Sequence, residues 1–244
     1  MKRVSLVTGA SRGIGAAVAR QLAADGADVA LQYYAASEAA ERVAESCRGR
    51  GVEGVALQAD LRSRTAVAEL KERLDGLGWT PNVVVHCAGL AHYGLLDDTE
   101  EDVWDDLMSV NLKGAYELAR HFGPAMRWAR WGRFVVLSSI WGESGAAGEA
   151  VYAATKGGLN ALAKSLAREW APAGVTVNAV SPGAIDTDML DSLEPEDKRA
   201  LCEEIPAGRL GTPEEVAQLV RYLSSEEAGY VTGQILGLNG GWRM

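Results

Sequence analysis

The chain has 244 residues, of which 48% are hydrophobic and 23% charged, with 28 Gly and 7 Pro; this balance excludes a disordered or fibrous chain. Its 24 basic and 33 acidic side chains give a formal charge of −9, which repels polyanions and anionic membrane surfaces, so neither nucleic acid nor a membrane is an expected partner. Cys47, Cys87 and Cys202 have no C-x-x-C spacing, which argues against a disulfide framework and a zinc site and fits a reducing cytoplasm.

The first element is a strand over Val4–Thr8. Its apolar stretch ends at Gly9, too short for a signal-peptide core, and no later run approaches the ~18 apolar residues of a membrane span. Directly after it, Thr8-Gly9-Ala10-Ser11-Arg12-Gly13-Ile14-Gly15 leads into a helix over 13–25. Glycines there let the backbone turn tightly and approach a pyrophosphate, whose charge the unpaired amides of a helix start can hold. The spacing is G-x-x-x-G-x-G, and its place between first strand and first helix favours dinucleotide binding over mere tight packing.

A second strand over 28–32 ends without the acid that favours NAD, at Tyr33-Tyr34, while Arg12 in the glycine loop is placed to meet a 2′-phosphate; NADP(H) is the expected cofactor. The alternative for Arg12 is simple exposure. A helix over 37–48 and a strand over 54–58 follow, and then Asp60-Leu61. There Asp60 either accepts from the adenine amino group or caps the next turn.

Further on, helical patterns over 64–74, 99–122, 151–170 and 213–224 alternate with strands over 82–86, 133–138, 176–180 and 234–238. Runs such as Val83-Val84-Val85 and Phe134-Val135-Val136-Leu137 have no polar face, as expected of a parallel sheet buried on both sides. The alternation predicts one α/β domain over 1–244, a Rossmann-type doubly wound seven-stranded parallel sheet with helices on both faces. In Asp97-Asp98-Thr99-Glu100-Glu101-Asp102, Thr99 followed by acids reads as a helix start, and no metal is expected. The stretch 186–212 lacks periodicity and reads as a mobile binding loop or a loosely packed surface segment.

In Val151-Tyr152-Ala153-Ala154-Thr155-Lys156, helical spacing puts a phenol and an ammonium on one face. A neighbouring cation stabilises the phenolate and is expected to lower the Tyr152 pKa, making Tyr152 a candidate general acid. The same spacing also occurs on ordinary surface helices.

With these marks in this order, the chain resembles the short-chain dehydrogenase/reductase family over essentially its whole length. The resemblance rests on Gly9, Gly13 and Gly15, on Cys87-Ala88-Gly89, on Asn111 in Asn111-Leu112-Lys113-Gly114, on Ser139, on Tyr152 with Lys156, and on Ser181-Pro182-Gly183. One departure is His86-Cys87, where the family usually carries two Asn; the catalytic groups are expected to be unaffected.

The resemblance implies hydride transfer between a nicotinamide and a substrate carbonyl. Tyr152 would give the proton, Ser139 would bond the carbonyl oxygen, and Lys156 would hold the nicotinamide ribose and lower the Tyr152 pKa. Asn111 would fix a water that links Lys156 to solvent. The implied cofactor site takes in Gly9, Ser11, Arg12, Gly13, Ile14, Gly15, Tyr33, Asp60, Leu61, Ala88, Gly89, Tyr152, Lys156, Pro182, Gly183, Ile185 and Thr187, with 186–212 as the substrate lid.

Within the family the closest resemblance is to the 3-oxoacyl-(acyl-carrier-protein) reductases of fatty-acid synthesis, carried by Ala153-Ala154-Thr155-Lys156-Gly157-Gly158-Leu159, Ser165-Leu166-Ala167-Arg168-Glu169, Ile205-Pro206-Ala207-Gly208-Arg209-Leu210-Gly211 and Tyr230-Val231-Thr232-Gly233-Gln234. This implies a 3-oxoacyl thioester substrate and a homotetramer. An acidic carrier protein would need a basic patch, for which Arg127, Arg130 and Arg133 are the candidates, although Ala173 stands where these reductases often carry a basic residue. Trp141 is expected to narrow the substrate entrance, and Trp170 to pack.

Overall fold

The computed structural model describes residues 2–190 and 194–243. The apolar runs form strands β1 (Val4–Thr8), β2 (Asp28–Tyr33), β3 (Gly54–Gln58), β4 (Val83–His86), β5 (Gly132–Leu137), β6 (Val175–Pro182) and β7 (Ile235–Leu238). Between them lie helices α1 (Gly13–Ala24), α2 (Ser37–Arg48), α3 (Ala66–Gly76), α4 (Glu101–Leu107), α5 (Gly114–Ala129), α6 (Trp141–Ser144), α7 (Ala150–Trp170), α8 (Pro195–Glu204) and α9 (Pro213–Leu223).

Among the described residues the strands make one parallel sheet, in the order β3-β2-β1-β4-β5-β6-β7. Strand order reverses between β1 and β4, and such a reversal opens a crevice at the carboxyl ends of the strands. Thr8 and His86, the last residues of β1 and β4, are partners across that reversal.

Alternate strand residues feed two separate apolar layers, as a period of two requires. On one face Val18 and Leu22 of α1 and Val216 and Val220 of α9 pack on Val7, Val29 and Val85. On the other, Leu118 and Phe122 of α5 and Leu159 of α7 pack on Leu6, Val84, Phe134 and Val177. Trp170 closes this second layer, 4% exposed and edge-on to Phe134 with ring centroids 5.8 Å apart. It packs as expected from the sequence.

The helix expected over 99–122 is not a single helix. The Thr99 hydroxyl donates to the Leu95 carbonyl at 3.0 Å, closing a 3₁₀ turn over Leu96–Asp98, so α4 starts only at Glu101. The acids Glu101 and Asp102 then occupy its first turn, where the helix dipole favours them. A π-helical turn, Met108–Lys113, separates α4 from α5. α5 also runs on past Gly123-Pro124 to Ala129: an interior Pro disfavours a helix, and the burial of Phe122 and Met126, 3% and 1% exposed, offsets that cost.

The stretch 186–212 contains a 3₁₀ turn, Asp188–Leu190, and the helix α8, which sequence periodicity does not reveal. α8 has no buried residue, so no apolar stripe marks it; Pro195 in its first turn and the acids Glu196 and Asp197 start it. Residues 191–193 of the expected lid lie outside the described residues. Beyond α8 the chain is fixed again, with Ile205 buried and the Ala207 amide donating to the Gly240 carbonyl at 3.0 Å.

Candidate active site

The glycine loop is wound against the end of β4. Gly9 has a φ of +62°, and a Cβ there would sit 2.7 Å from the Ala88 Cα. Gln32, buried at the end of β2, accepts from the Gly9 amide at 3.0 Å and donates to the Ala59 carbonyl at 2.6 Å, tying the loop to the next strand. α1 begins after Arg12 with no side-chain cap and no acid in its first turn. Its leading amides are therefore open to an anion, and the cradle fits a pyrophosphate.

At the adenosine edge the structure redistributes the expected residues. Tyr33 is buried, its hydroxyl donating to Ser37 at 3.1 Å, while Tyr34 is 55% exposed. Leu61 is buried in the second apolar layer. Asp60 closes its own turn by accepting from the Arg62 amide, and both its carboxylate oxygens accept from the Arg62 side chain. That pairing holds the Asp60 carboxyl below the usual carboxylate range. Arg62, which sequence reasoning missed, also reaches Asp106 at 3.1 Å and the Tyr34 hydroxyl at 2.6 Å. Arg12 is largely exposed and lies 3.6 Å from Asp188.

The four catalytic candidates come from four elements that meet at the carboxyl end of the sheet. Ser139 follows β5, Tyr152 and Lys156 lie on α7, and Asn111 lies in the π-turn. Ser139 and Tyr152 share a hydrogen bond, and the Ser139 hydroxyl also accepts from the Trp141 amide at 3.2 Å. The Asn111 carboxamide donates to the Leu90 carbonyl at 2.9 Å and to the Thr155 hydroxyl at 3.0 Å, and accepts from the Leu90 amide at 2.7 Å. A Cβ on Gly89 would lie 3.5 Å from both Asn111 Oδ1 and Lys156 Nζ, so those two groups converge beside Gly89.

The structure corrects the expected effect of Lys156 on Tyr152. Lys156 Nζ lies 5.4 Å from the Tyr152 ring centroid, but donates to the Leu137 carbonyl at 2.7 Å. Burial pushes the Tyr152 phenol up to about 12, opposed by the Ser139 hydrogen bond and aided by the nearby Glu149 carboxylate. Burial also brings the Lys156 ammonium down to about 8. The phenol is thus protonated at neutral pH, the state required of a proton donor.

The segment after β6 faces the glycine loop. The Gly183 amide donates to the Leu238 carbonyl, Ile185 is buried and bridges to Gly211, and the Thr187 methyl lies 3.5 Å from where a Gly13 Cβ would be. Pro182 accepts at its carbonyl from the Ile140 amide at 3.1 Å, fixing the turn after Ser139 to the turn before Gly183. Trp141 meets Trp242 edge-on with centroids 5.4 Å apart, and its indole hydrogen-bonds Glu149. Glu149, three residues before Tyr152, is half-buried, and burial raises its carboxyl pKa.

The basic patch also needs correction. Arg127 and Arg130 are exposed, but Arg133 is 3% exposed, with Nε donating to the Ser225 carbonyl at 2.8 Å. An inward strand position and a backbone carbonyl partner explain its burial, and they remove it from any docking surface. Among the described residues no cluster of His, Cys, Asp or Glu could hold a metal, and no helix is long and apolar enough to cross a membrane.

Known proteins resemble this chain over nearly its whole length. A family model described as enoyl-(acyl carrier protein) reductase matches residues 9–243. The 3-oxoacyl-(acyl-carrier-protein) reductase of Pseudomonas aeruginosa is 42% identical over 99% of this chain and 98% of its own length. An oxidoreductase of Bacillus subtilis described as uncharacterised is 39% identical over 99% of both chains. A crystal structure of a candidate gluconate dehydrogenase from Agrobacterium tumefaciens superposes with a TM-score of 0.94 at 32% identity, covering 98% of this chain and 95% of that one.

Proposed function

The chain belongs to the short-chain dehydrogenase/reductase family, and from that premise we propose that it reduces 3-oxoacyl thioesters borne on acyl carrier protein to 3-hydroxyacyl thioesters, using NADPH. The observation that carries the substrate class is the full-length likeness, at 42% identity, to 3-oxoacyl-(acyl-carrier-protein) reductases of Pseudomonas aeruginosa and Staphylococcus aureus.

The bound dinucleotide supplies the hydride. The chain's own residues supply position and the proton. The open amides at the start of α1 would hold the pyrophosphate, Arg12 would meet the 2′-phosphate, and Ile185 with Thr187 would support the carboxamide end. Ser139 donates a hydrogen bond to the substrate carbonyl oxygen and stabilises the negative charge that develops there. Tyr152 gives its proton to that oxygen, and the phenolate left behind regains a proton from Lys156, one helical turn away. With its pKa near 8, Lys156 can itself pass a proton on at neutral pH. Asn111 holds the loop at Leu90 against α7 and keeps the space beside Lys156 open. The described parts of the lid, 186–190 and 194–212, cover the substrate, and the protein assembles as a homotetramer.

The deciding experiment is a substrate panel at fixed NADPH: an acetoacetyl thioester, a carrier-bound 3-oxoacyl chain and simple ketones. The carrier-bound thioester should give the highest kcat/KM; absence of thioester turnover would overturn the assignment. A second reading, a carbonyl reductase or alcohol dehydrogenase of a hydroxylated substrate, draws on the likeness to the candidate gluconate dehydrogenase. Turnover of such substrates without thioester turnover would favour it.

A further inference from the structure

His86 stands at the strand-order reversal, fully buried at the end of β4. Its Nε2 lies 3.0 Å from the Asn111 carbonyl oxygen, which can only accept, so Nε2 carries the proton. In the neutral ring Nδ1 is then an acceptor, and it lies 2.9 Å from the Thr8 hydroxyl. That hydroxyl accepts from the Ala88 amide at 3.1 Å and so has its own hydrogen free for Nδ1. A single directional chain results, from Ala88 through Thr8 and His86 to Asn111.

Burial, with the Lys156 charge nearby, brings the His86 pKa down to about 4, which keeps the ring neutral at neutral pH, and its two partners select the tautomer. Val110, the residue before Asn111, also hydrogen-bonds the ring through its backbone. Both residues lie inside the π-turn Met108–Lys113, where widening from the i→i+4 pattern disturbs the regular pairing of helical carbonyls. A Cβ on Gly114 would come within 3.2 Å of His86 Cε1, so the helix is bare where the imidazole packs against it.

We propose that His86 is a positioning residue for the reaction: by satisfying the π-turn carbonyls it holds that turn open and fixes the Asn111 carboxamide between Leu90 and Thr155. The inference rests on the proposed reductase function for its kinetic consequence but not for its structural one. It assigns a role to the residue where the sequence departs from the family's usual Asn.

The test compares His86→Phe, which keeps a planar ring but has no ring nitrogen, with His86→Gln, whose amide donor reaches about as far as Nε2. Two readouts are taken: steady-state kinetics on the thioester, and hydrogen exchange of the Leu90 amide, which Asn111 Oδ1 accepts at 2.7 Å. In His86→Phe, kcat should fall by about tenfold or more, KM should stay within about threefold, and Leu90 protection should fall by about tenfold. His86→Gln should restore both to within about threefold. Unchanged Leu90 protection in His86→Phe would overturn the proposal, as would equal losses in both variants. If His86→Phe does not fold, Thr8→Val decides: loss of the bond that orients the ring should lower Leu90 protection, and no change there overturns the proposal. Should the wild-type protein turn over no thioester, the exchange measurement still stands and only the assigned function fails.

Discussion

Lys156 and Tyr152 face each other across one turn of α7, yet the ammonium bonds the Leu137 carbonyl at 2.7 Å and meets the phenol through its ring, 5.4 Å from the centroid. Burial drives the two pKa values apart, up to about 12 for the tyrosine and down to about 8 for the lysine, because it disfavours the charged form of each. The pair is therefore set for a neutral phenol that gives a proton.

Replacement of that phenol is the first expectation. Tyr152→Phe keeps the ring and its packing but removes the transferable proton, so kcat should fall by roughly 10²- to 10⁴-fold. NADPH affinity, read by fluorescence titration, should change little. Undiminished turnover would show that another group is the donor.

The buried ammonium has a thermodynamic consequence. Its folded pKa, about 8, lies below the ordinary 10.5, so between those values the unfolded chain binds more protons and stability rises with pH. Below pH 8 the native state carries the full cost of the buried charge. Lys156→Met should thus be more stable than wild type at pH 7, by on the order of 2 kcal/mol, with the gap closing towards pH 10.5 while activity is lost. Thermal denaturation across pH 7 to 10.5 checks the sign.

Cofactor preference should follow Arg12. Arg12→Ala should raise the Kd for NADPH by about tenfold, equivalent to about 1.4 kcal/mol, and leave that for NADH unchanged. Parallel titrations measure the ratio; equal weakening of both would assign the 2′-phosphate to another cation.

Gly9 permits neither a side chain nor another backbone shape, given its φ of +62° and the Ala88 Cα 2.7 Å from a built Cβ. Gly9→Ala should separate the ends of β1 and β4. Cofactor binding should be lost in calorimetry, and Tm should drop as well.

The exposed arginines at the end of α5 and the buried Arg133 of β5 should separate by assay. Arg133→Met leaves the Ser225 carbonyl without its donor and should cost about 1 to 3 kcal/mol in urea denaturation, with no selective effect on the carrier-borne substrate. Arg127→Glu combined with Arg130→Glu should spare stability and raise KM for the carrier-bound thioester over its small-molecule analogue.

Much of this architecture is legible along the chain. The doubly wound sheet follows from unbroken apolar runs such as Val83-Val84-Val85, because a strand buried on both faces needs no polar alternation. The turn at Gly9, the pairing of Tyr152 with Lys156 at helical spacing, and the order of Asn111 and Ser139 before them are likewise properties of local sequence. α8 and the break in the helix after Leu107 are not. α8 buries nothing and so has no periodic stripe, and the π-turn depends on partners distant in sequence.

The sheet and the inventory of reactive groups are written in local sequence, since strand burial, glycine turns and helical spacing are short-range properties. The tertiary structure alone decided their states and partners. Burial set the two pKa values, Arg133 was drawn inward to Ser225, Arg62 was laid across Asp60 and Tyr34, and His86 was joined to Thr8 and Asn111. Desolvation and long-range hydrogen bonds depend on which segments meet in space, and distance along the chain does not encode that.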